Sequence, residues 1–333
     1  MMEEGGTMKL TGTILTVAVA AFLLLPASAE ASFAKVGTAG AQFLKIGIGT
    51  RAVGMGGAFI ATADDPSAVY WNPACLVRAP GTQIQFTHTE WFEDVRYEAA
   101  TVSYEYPTVG TFGLQFGLMN SGDMDVTTVE NPEGTGETFT CSDIVVGVSF
   151  ARMLTDRFST GLTLKYVREA WDDISAGGLA VDMGTLYNTG FKTLRIGMTI
   201  QHFGGEITPG GEFQEHYSGN DSTETYESYS LPMMFKLGLA MDVLDRGPHF
   251  MTIEVDGVHP NDNVERVNIG TEYWFDNMVA LRGGYHINAD EAGATAGAGF
   301  RIPLGGQTIT LDYAYADWNR LEVVHRASLG FAF

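Results

Sequence analysis

Few residues of this chain are spaced for chemistry, and each pattern that could support a reaction fails at its next requirement. Gly47-x-Gly49-x-x-Ala52 has the spacing of a dinucleotide-binding turn, where backbone N–H groups face a pyrophosphate. That turn needs a preceding strand and a surrounding βαβ unit, and the flanking sequence offers neither. Asp123-x-Asp125 opens like a calcium loop, yet its twelfth position is Gly134 rather than the closing glutamate. Trp171-Asp172-Asp173 and Asp290-Glu291 could hold surface Ca²⁺ loosely, but they read better as solvated acidic faces. The seven histidines include no H-x-x-H or H-E-x-x-H spacing, and no G-x-S-x-G marks a nucleophile elbow. His88, His202, His259 and His286 fall toward the ends of alternating segments, where solvated or interfacial roles are ordinary. The expectation is a protein that is not an enzyme, with no metal site and no cofactor.

Composition narrows the class further. Of 333 residues, 45% are hydrophobic, 18% are charged and 41 are glycine. A mean hydropathy of +0.03 excludes a bundle of membrane helices, and the apolar content excludes a disordered chain. The 19 basic residues stand against 40 acidic ones, a net charge of −21. Nucleic acid is therefore not an expected partner, because binding a phosphate backbone needs a basic surface. The two cysteines, Cys75 and Cys141, are too few for a disulfide scaffold.

Beyond residue 81 the dominant pattern has period two, the mark of strands with one apolar and one polar face. Ile309, Leu311, Tyr313 and Tyr315 alternate with Thr308, Thr310, Asp312 and Ala314, and Met251, Ile253 and Val255 alternate with Thr252, Glu254 and Asp256. Fourteen such segments are expected, near 82–90, 96–107, 109–120, 142–153, 157–168, 179–188, 192–203, 232–244, 249–258, 265–275, 278–288, 293–302, 306–316 and 322–333. Tight turns rich in Gly, Pro, Asn and Asp alternate with longer polar connections at 121–141, 169–178, 204–231, 259–264, 288–292 and 317–321. Short turns at one end, long loops at the other and an even number of strands are the signature of an outer-membrane barrel. A soluble β-sandwich gives no reason for connection lengths to alternate. It also gives none for aromatics to collect at strand ends, as Tyr104, Tyr106, Tyr166, Tyr187, Tyr273, Trp274, Phe275 and Tyr313 do; girdles at the two lipid interfaces explain them. Lumen-facing Lys165, Asp182, Glu254, Asp256, Glu272, Arg282 and Asp312 imply a polar, filled interior. Outer-membrane lipid is thus an expected partner, and the outer membrane of a diderm bacterium the expected location.

The amino terminus reads as an export signal. Lys9 is followed by an apolar run from Ile14 to Leu25 and by Ala27-Ser28-Ala29, so residues 1–29 are expected to be a leader cleaved after Ala29. Glu3 and Glu4 fit no such leader, which points to Met8 as the start. At the other end Ala327, Leu329, Phe331 and Phe333 share a face and resemble the terminal signal read by barrel-assembly machinery. The organisation expected is leader 1–29, hatch 30–80 and transmembrane barrel 81–333.

Residues 30–80 lack the alternation and are dense in small residues. Gly54, Gly56 and Gly57 suit a compact hatch with close backbone packing. Asp65 is placed to cap a helix begun by Pro66, and Asn72-Pro73 to end it. The run Arg51-Ala52-Val53-Gly54-Met55-Gly56-Gly57, then Asp64-Asp65-Pro66-Ser67-Ala68 and Trp71-Asn72-Pro73-Ala74, resembles the N-terminal region of the PorV/PorQ family, within the wider group of FadL-like barrels. Ala151 to Phe158, Gly161 to Glu169 and Asp182 to Tyr187 resemble it too, with Cys75 standing where glycine is expected. The resemblance implies an all-β, fourteen-stranded antiparallel outer-membrane barrel with an N-terminal hatch. Relatives of this kind serve type IX secretion, accepting exported proteins by a C-terminal signal domain and passing them to other subunits of the secretion complex. FadL-like barrels instead move long-chain fatty acids and other hydrophobic solutes. On the first reading Phe213, Tyr217, Tyr226 and Tyr229 of the 204–231 connection are the candidate cargo-binding residues. The second requires an apolar pocket on the lumen side near the hatch and a gap in the wall, and a lipid or detergent tail bound inside the barrel against Trp71 or Phe59 would favour it.

Overall fold

The computed structural model describes residues 36–217 and 220–333; the expected leader and the first residues of the expected hatch lie outside them. The strands are β1 (Thr82–Glu90), β2 (Arg96–Tyr106), β3 (Gly110–Asp125), β4 (Thr138–Thr155), β5 (Phe158–Trp171), β6 (Ile174–Asn188), β7 (Arg195–Gly204), β8 (Glu212–Tyr217) and β9 (Asn220–Thr225). They continue with β10 (Met234–Arg246), β11 (His249–Pro260), β12 (Arg266–Phe275), β13 (Val279–Ile287), β14 (Ala294–Leu304), β15 (Gln307–Asp317) and β16 (Val323–Ala332). Among the described residues fourteen of these close into a barrel, each antiparallel to its neighbours, while β8 and β9 form a separate hairpin inside the 204–231 connection. Closure pairs β1 with β16, Phe86 lying opposite Leu329. Every edge is thereby removed, which a membrane-spanning sheet requires.

The alternation sorts side chains as their chemistry demands. On β11, Thr252 is 2% exposed and faces inward with Glu254 and Asp256, while Ile253 is 37% exposed on the outer wall. Leu114, Phe116, Val148, Leu164, Leu237 and Leu311 repeat that outward exposure around the barrel. So much apolar surface is untenable in water and is what a lipid-facing belt requires. The chain is an outer-membrane β-barrel.

Two features depart from the expected pattern. β5 and β6 run on to Trp171 and Ile174, joined by the two-residue turn Asp172-Asp173, where the sequence suggests a loop over 169–178. Asp172 takes φ 51°, as such hairpin turns require. β3 and β4, of 16 and 18 residues, likewise exceed the roughly 9–11 needed to cross a bilayer. These extensions stand beyond the hydrocarbon, where neither face meets lipid and hydrophobic alternation has no cause to persist. The second departure is Trp274, which shares the phase of Glu272 and is buried in the lumen with the Arg301 guanidinium 4.4 Å from its ring; it belongs to no interfacial girdle.

Candidate functional site

Residues 42–79 run through the lumen as short helices and turns. They comprise a 3₁₀ turn (Gln42–Lys45), helices Thr50–Gly54 and Ala68–Trp71, and a second 3₁₀ helix (Pro73–Arg78). At the long-loop end Lys45 Nζ lies 2.6 Å from Asp262 Oδ1, in the connection after β11. From there this inner segment descends to β1 at the short-turn end. Its irregular stretches leave backbone donors that burial would otherwise strand. Wall carboxylates accept them: Phe59 N donates to Asp256 Oδ2 at 3.0 Å and Ala61 N to Glu254 Oε1 at 2.6 Å.

The residues singled out from sequence fall along this segment in two groups. Arg51 Nε and Nη2 donate to the two oxygens of Glu272 at 2.7 and 2.6 Å, and Nη1 donates to Asp64 and, at 3.3 Å, to Asp65. Arg282 continues the chain of charges, donating to Glu272 Oε1 at 2.7 Å and to Asp312 Oδ1 at 2.6 Å. Burial alone would raise both aspartates; Arg51 and Arg78 hold Asp64 below the ordinary carboxylate range, whereas Asp65, with Asp64 beside it, stays above. Asp65 also accepts from Ser67 N at 2.9 Å and from Ser67 Oγ at 2.5 Å, fixing the turn that starts the Ala68–Trp71 helix.

Asn72 and Pro73 form the second group. The Asn72 side chain accepts from Ala74 N at 3.1 Å and donates to Ile60 O and Thr185 O at 2.8 and 3.0 Å, so it ends one helix, starts the next and ties both to β6. Gly54 and Gly56 press backbone against the wall. A Cβ on Gly56, where φ is +64°, would lie 2.9 Å from Tyr285 N, and one on Gly54 3.2 Å from Gly297 Cα. Gly57, at φ +66°, lies under Trp71 and Asn268.

The reciprocal wall glycines are not singled out by the sequence reading. Cβ atoms on Gly161 and Gly184 would collide with Asn72 and Pro73, and one on Gly284 with Gly56. Their signal is glycine at a lumen-facing strand position, the usual mark of close backbone approach. His202 is a further departure: a bulge opposite Asp182 gives it φ 59° and turns it fully inside, its N–H donating to Asp182 Oδ1 at 2.8 Å.

The inner segment leaves a cavity at each end. The one facing the short turns, about 440 Å³, includes the charged side chains Arg51, Asp64, Arg78 and Arg301. The one behind the long loops, about 310 Å³, is walled by Tyr70, Trp71, Trp91 and Trp318 and also takes in Lys236, Arg266 and Arg326. Trp71 Nε1 donates to Ile48 O at 2.6 Å and Tyr70 Oη to Leu44 O at 3.1 Å, so the two rings are fixed. Phe59 packs edge-on against Trp71, its centroid 6.2 Å away, within the inner segment.

The four candidate loop aromatics separate. Phe213 and Tyr217 stand on β8, and Tyr226 is half-buried beyond β9. Tyr229 is half-buried and donates its hydroxyl to Glu169 Oε2 at 2.5 Å. Ser230 O accepts from Gly40 N at 3.0 Å, tying this connection to the start of the inner segment.

No protein-family model and no curated protein matches the chain. Solved structures do share its fold. The toluene transporter TbuX of Ralstonia pickettii is 14% identical with a TM-score of 0.55, over 86% of this chain and 97% of that one. The toluene transporter TodX of Pseudomonas putida is 14% identical with a TM-score of 0.58, over 86% and 98%. The monoaromatic hydrocarbon channel CymD is 12% identical, also at 0.58, over 86% and 98%. At these identities the likeness is one of fold.

Proposed function

We propose that the chain is a non-enzymatic outer-membrane conduit of FadL-like type that admits small hydrophobic solutes, with residues 42–79 as its plug. The observation that carries this is the outer cavity, a concave site behind the long loops walled by three tryptophans and a tyrosine. Such walls suit an apolar ring or chain far better than a hydrated solute. The names of TbuX, TodX and CymD, barrels of the same fold, support the reading. Passage from the outer cavity to the periplasmic one requires the plug to shift, and the Arg51 ion pairs are contacts that resist it. In a diderm host lacking its own hydrocarbon channels, cells expressing the protein should take up labelled toluene faster at early times than cells carrying the empty vector. Equal initial rates would reject the proposal.

The PorV/PorQ reading, a barrel that binds exported proteins by a C-terminal signal domain, is supported by one feature: the β8–β9 hairpin with Phe213 and Tyr217. Retention of such a domain by the purified barrel, lost on deleting residues 212–225, is the outcome this second reading requires. No retention would leave it without support.

A further inference from the structure

Buried cations in this lumen are paired almost everywhere. Arg51 and Arg282 share Glu272, Lys165 meets Asp182, Arg195 meets Asp242 at 2.8 Å and Lys45 meets Asp262. Three cations of the outer cavity break the rule. Lys236 is 3% exposed and has no hydrogen-bond or ion-pair partner among the described residues; its ammonium lies 5.0 Å from the centroid of Trp71 and 5.8 Å from that of Tyr70. Arg326 is 4% exposed, lies 5.4 Å from the Trp91 centroid and spends one Nη1 hydrogen bond on Gly47 O, while its buried Nε has no partner. Arg266 also has a buried Nε without a partner, and no carboxylate among the described residues lies within ion-pair distance of it. Asp317 is the one acidic residue among those lining the cavity.

Carboxylates act on these cations only from a distance, Asp256 and Asp182 on Lys236 and Asp262 and Asp290 on Arg266; none of the four lines the cavity, so its cations face it without a direct carboxylate partner. Leaving three cations in a largely desolvated site is costly unless an anion completes it. Ring faces partly support Lys236 and Arg326, but a quadrupole does not replace a counter-ion.

We infer that the outer cavity prefers a small aromatic carboxylate to a neutral aromatic of the same shape; this rests on reading that cavity as the solute site. A carboxylate presents two oxygens with about four acceptor sites, enough to engage one ammonium and two guanidinium groups together. The tryptophan walls take the ring. A volume of about 310 Å³ lies at the small end of ligand pockets and suits a ring-sized acid better than a long acyl chain.

Benzoate and benzamide test this directly, since they share shape and differ in charge. In equilibrium dialysis against the full chain in detergent, benzoate should bind about tenfold tighter than benzamide, the difference expected for hydrogen bonds to charged groups. Added salt should weaken benzoate alone. Lys236→Gln and Arg266→Gln, each shown to be folded by heat-modifiable migration, should each erase most of that preference. Equal binding of benzoate and benzamide by the wild-type chain would overturn the anion inference while leaving a hydrophobic-solute site standing. Tighter binding of decanoate than of benzoate would overturn the aromatic assignment. Failure of benzoate, benzamide and toluene alike would overturn both the inference and the conduit reading beneath it.

Discussion

Arg51 of the plug and Glu272 of β12 form a two-point ion pair, Nε to Oε1 at 2.7 Å and Nη2 to Oε2 at 2.6 Å. The pair joins two parts of the chain 221 residues apart and makes the plug electrostatically part of the wall. Glu272 also holds Arg282, so one carboxylate serves a cation from the plug and one from β13.

Removing Arg51 should therefore cost more than the contacts it makes. Arg51→Gln leaves Glu272 with one cation instead of two and Asp64 without its nearest one. Breaking a buried pair in this way costs about 3–5 kcal/mol. The double variant Arg51→Gln, Glu272→Gln should recover part of that loss. Unfolding midpoints followed by heat-modifiable migration provide the measurement, and a single variant as stable as wild type would show that the plug is held by packing alone.

The glycine contacts give a steric prediction. Gly56 has φ +64° and faces the backbone of β13, so Gly56→Leu must adopt a strained backbone and displace Tyr285 or Gly284. Poor assembly or a leaky pore should follow, read as loss of the folded gel form and greater sensitivity to bulky antibiotics. Folding yield and resistance equal to wild type would place the close approach elsewhere.

Charge on the two faces of β15 should separate lipid from lumen. Leu311→Arg puts a guanidinium in hydrocarbon, at about 2–4 kcal/mol near the midplane. Thr310→Arg points into the periplasmic cavity, which has room for it. Folding yield in lipid vesicles should fall for the first and hold for the second. The reverse order would move the register of β15 by one residue, since a single slip exchanges its faces.

What the sequence could reveal followed from where hydrophobicity is under constraint. All fourteen barrel segments and the lumen phase of Glu254, Asp256, Glu272 and Asp312 are legible because lipid on one side and close packing on the other restrict residue type. The outer extensions of β3 to β6 are not, since both their faces meet water or polar groups. Trp274 was misplaced because an aromatic at a strand end fits a girdle or a lumen equally well until the phase set by Glu272 is applied. Lys236, Arg266 and Arg326 were invisible as a group: they come from β10, β12 and β16, and only barrel closure around the plug brings them to one cavity.

The cysteines give the last prediction. Cys75 sits in the plug, fully buried, its Sγ donating to Ile60 O at 3.3 Å, and burial pushes the thiol up to about 12. Both properties make it unreactive, because thiol chemistry requires access and a thiolate. Its neighbour Ala74 accepts from Ser159 at the short-turn end of β5, whereas Cys141 pairs with Trp171 at the other end of that strand. Twelve residues separate Ser159 from Trp171, about 40 Å of strand at about 3.3 Å per residue. A disulfide needs Cα atoms within about 7 Å, so the two thiols should stay free even in an oxidising compartment. Alkylation of the folded protein without reductant should label Cys141 alone, and unfolding should add Cys75. Rapid labelling of Cys75 in the folded protein would show that the plug opens readily, and a Cys75–Cys141 linked peptide would contradict the path assigned to residues 42–79.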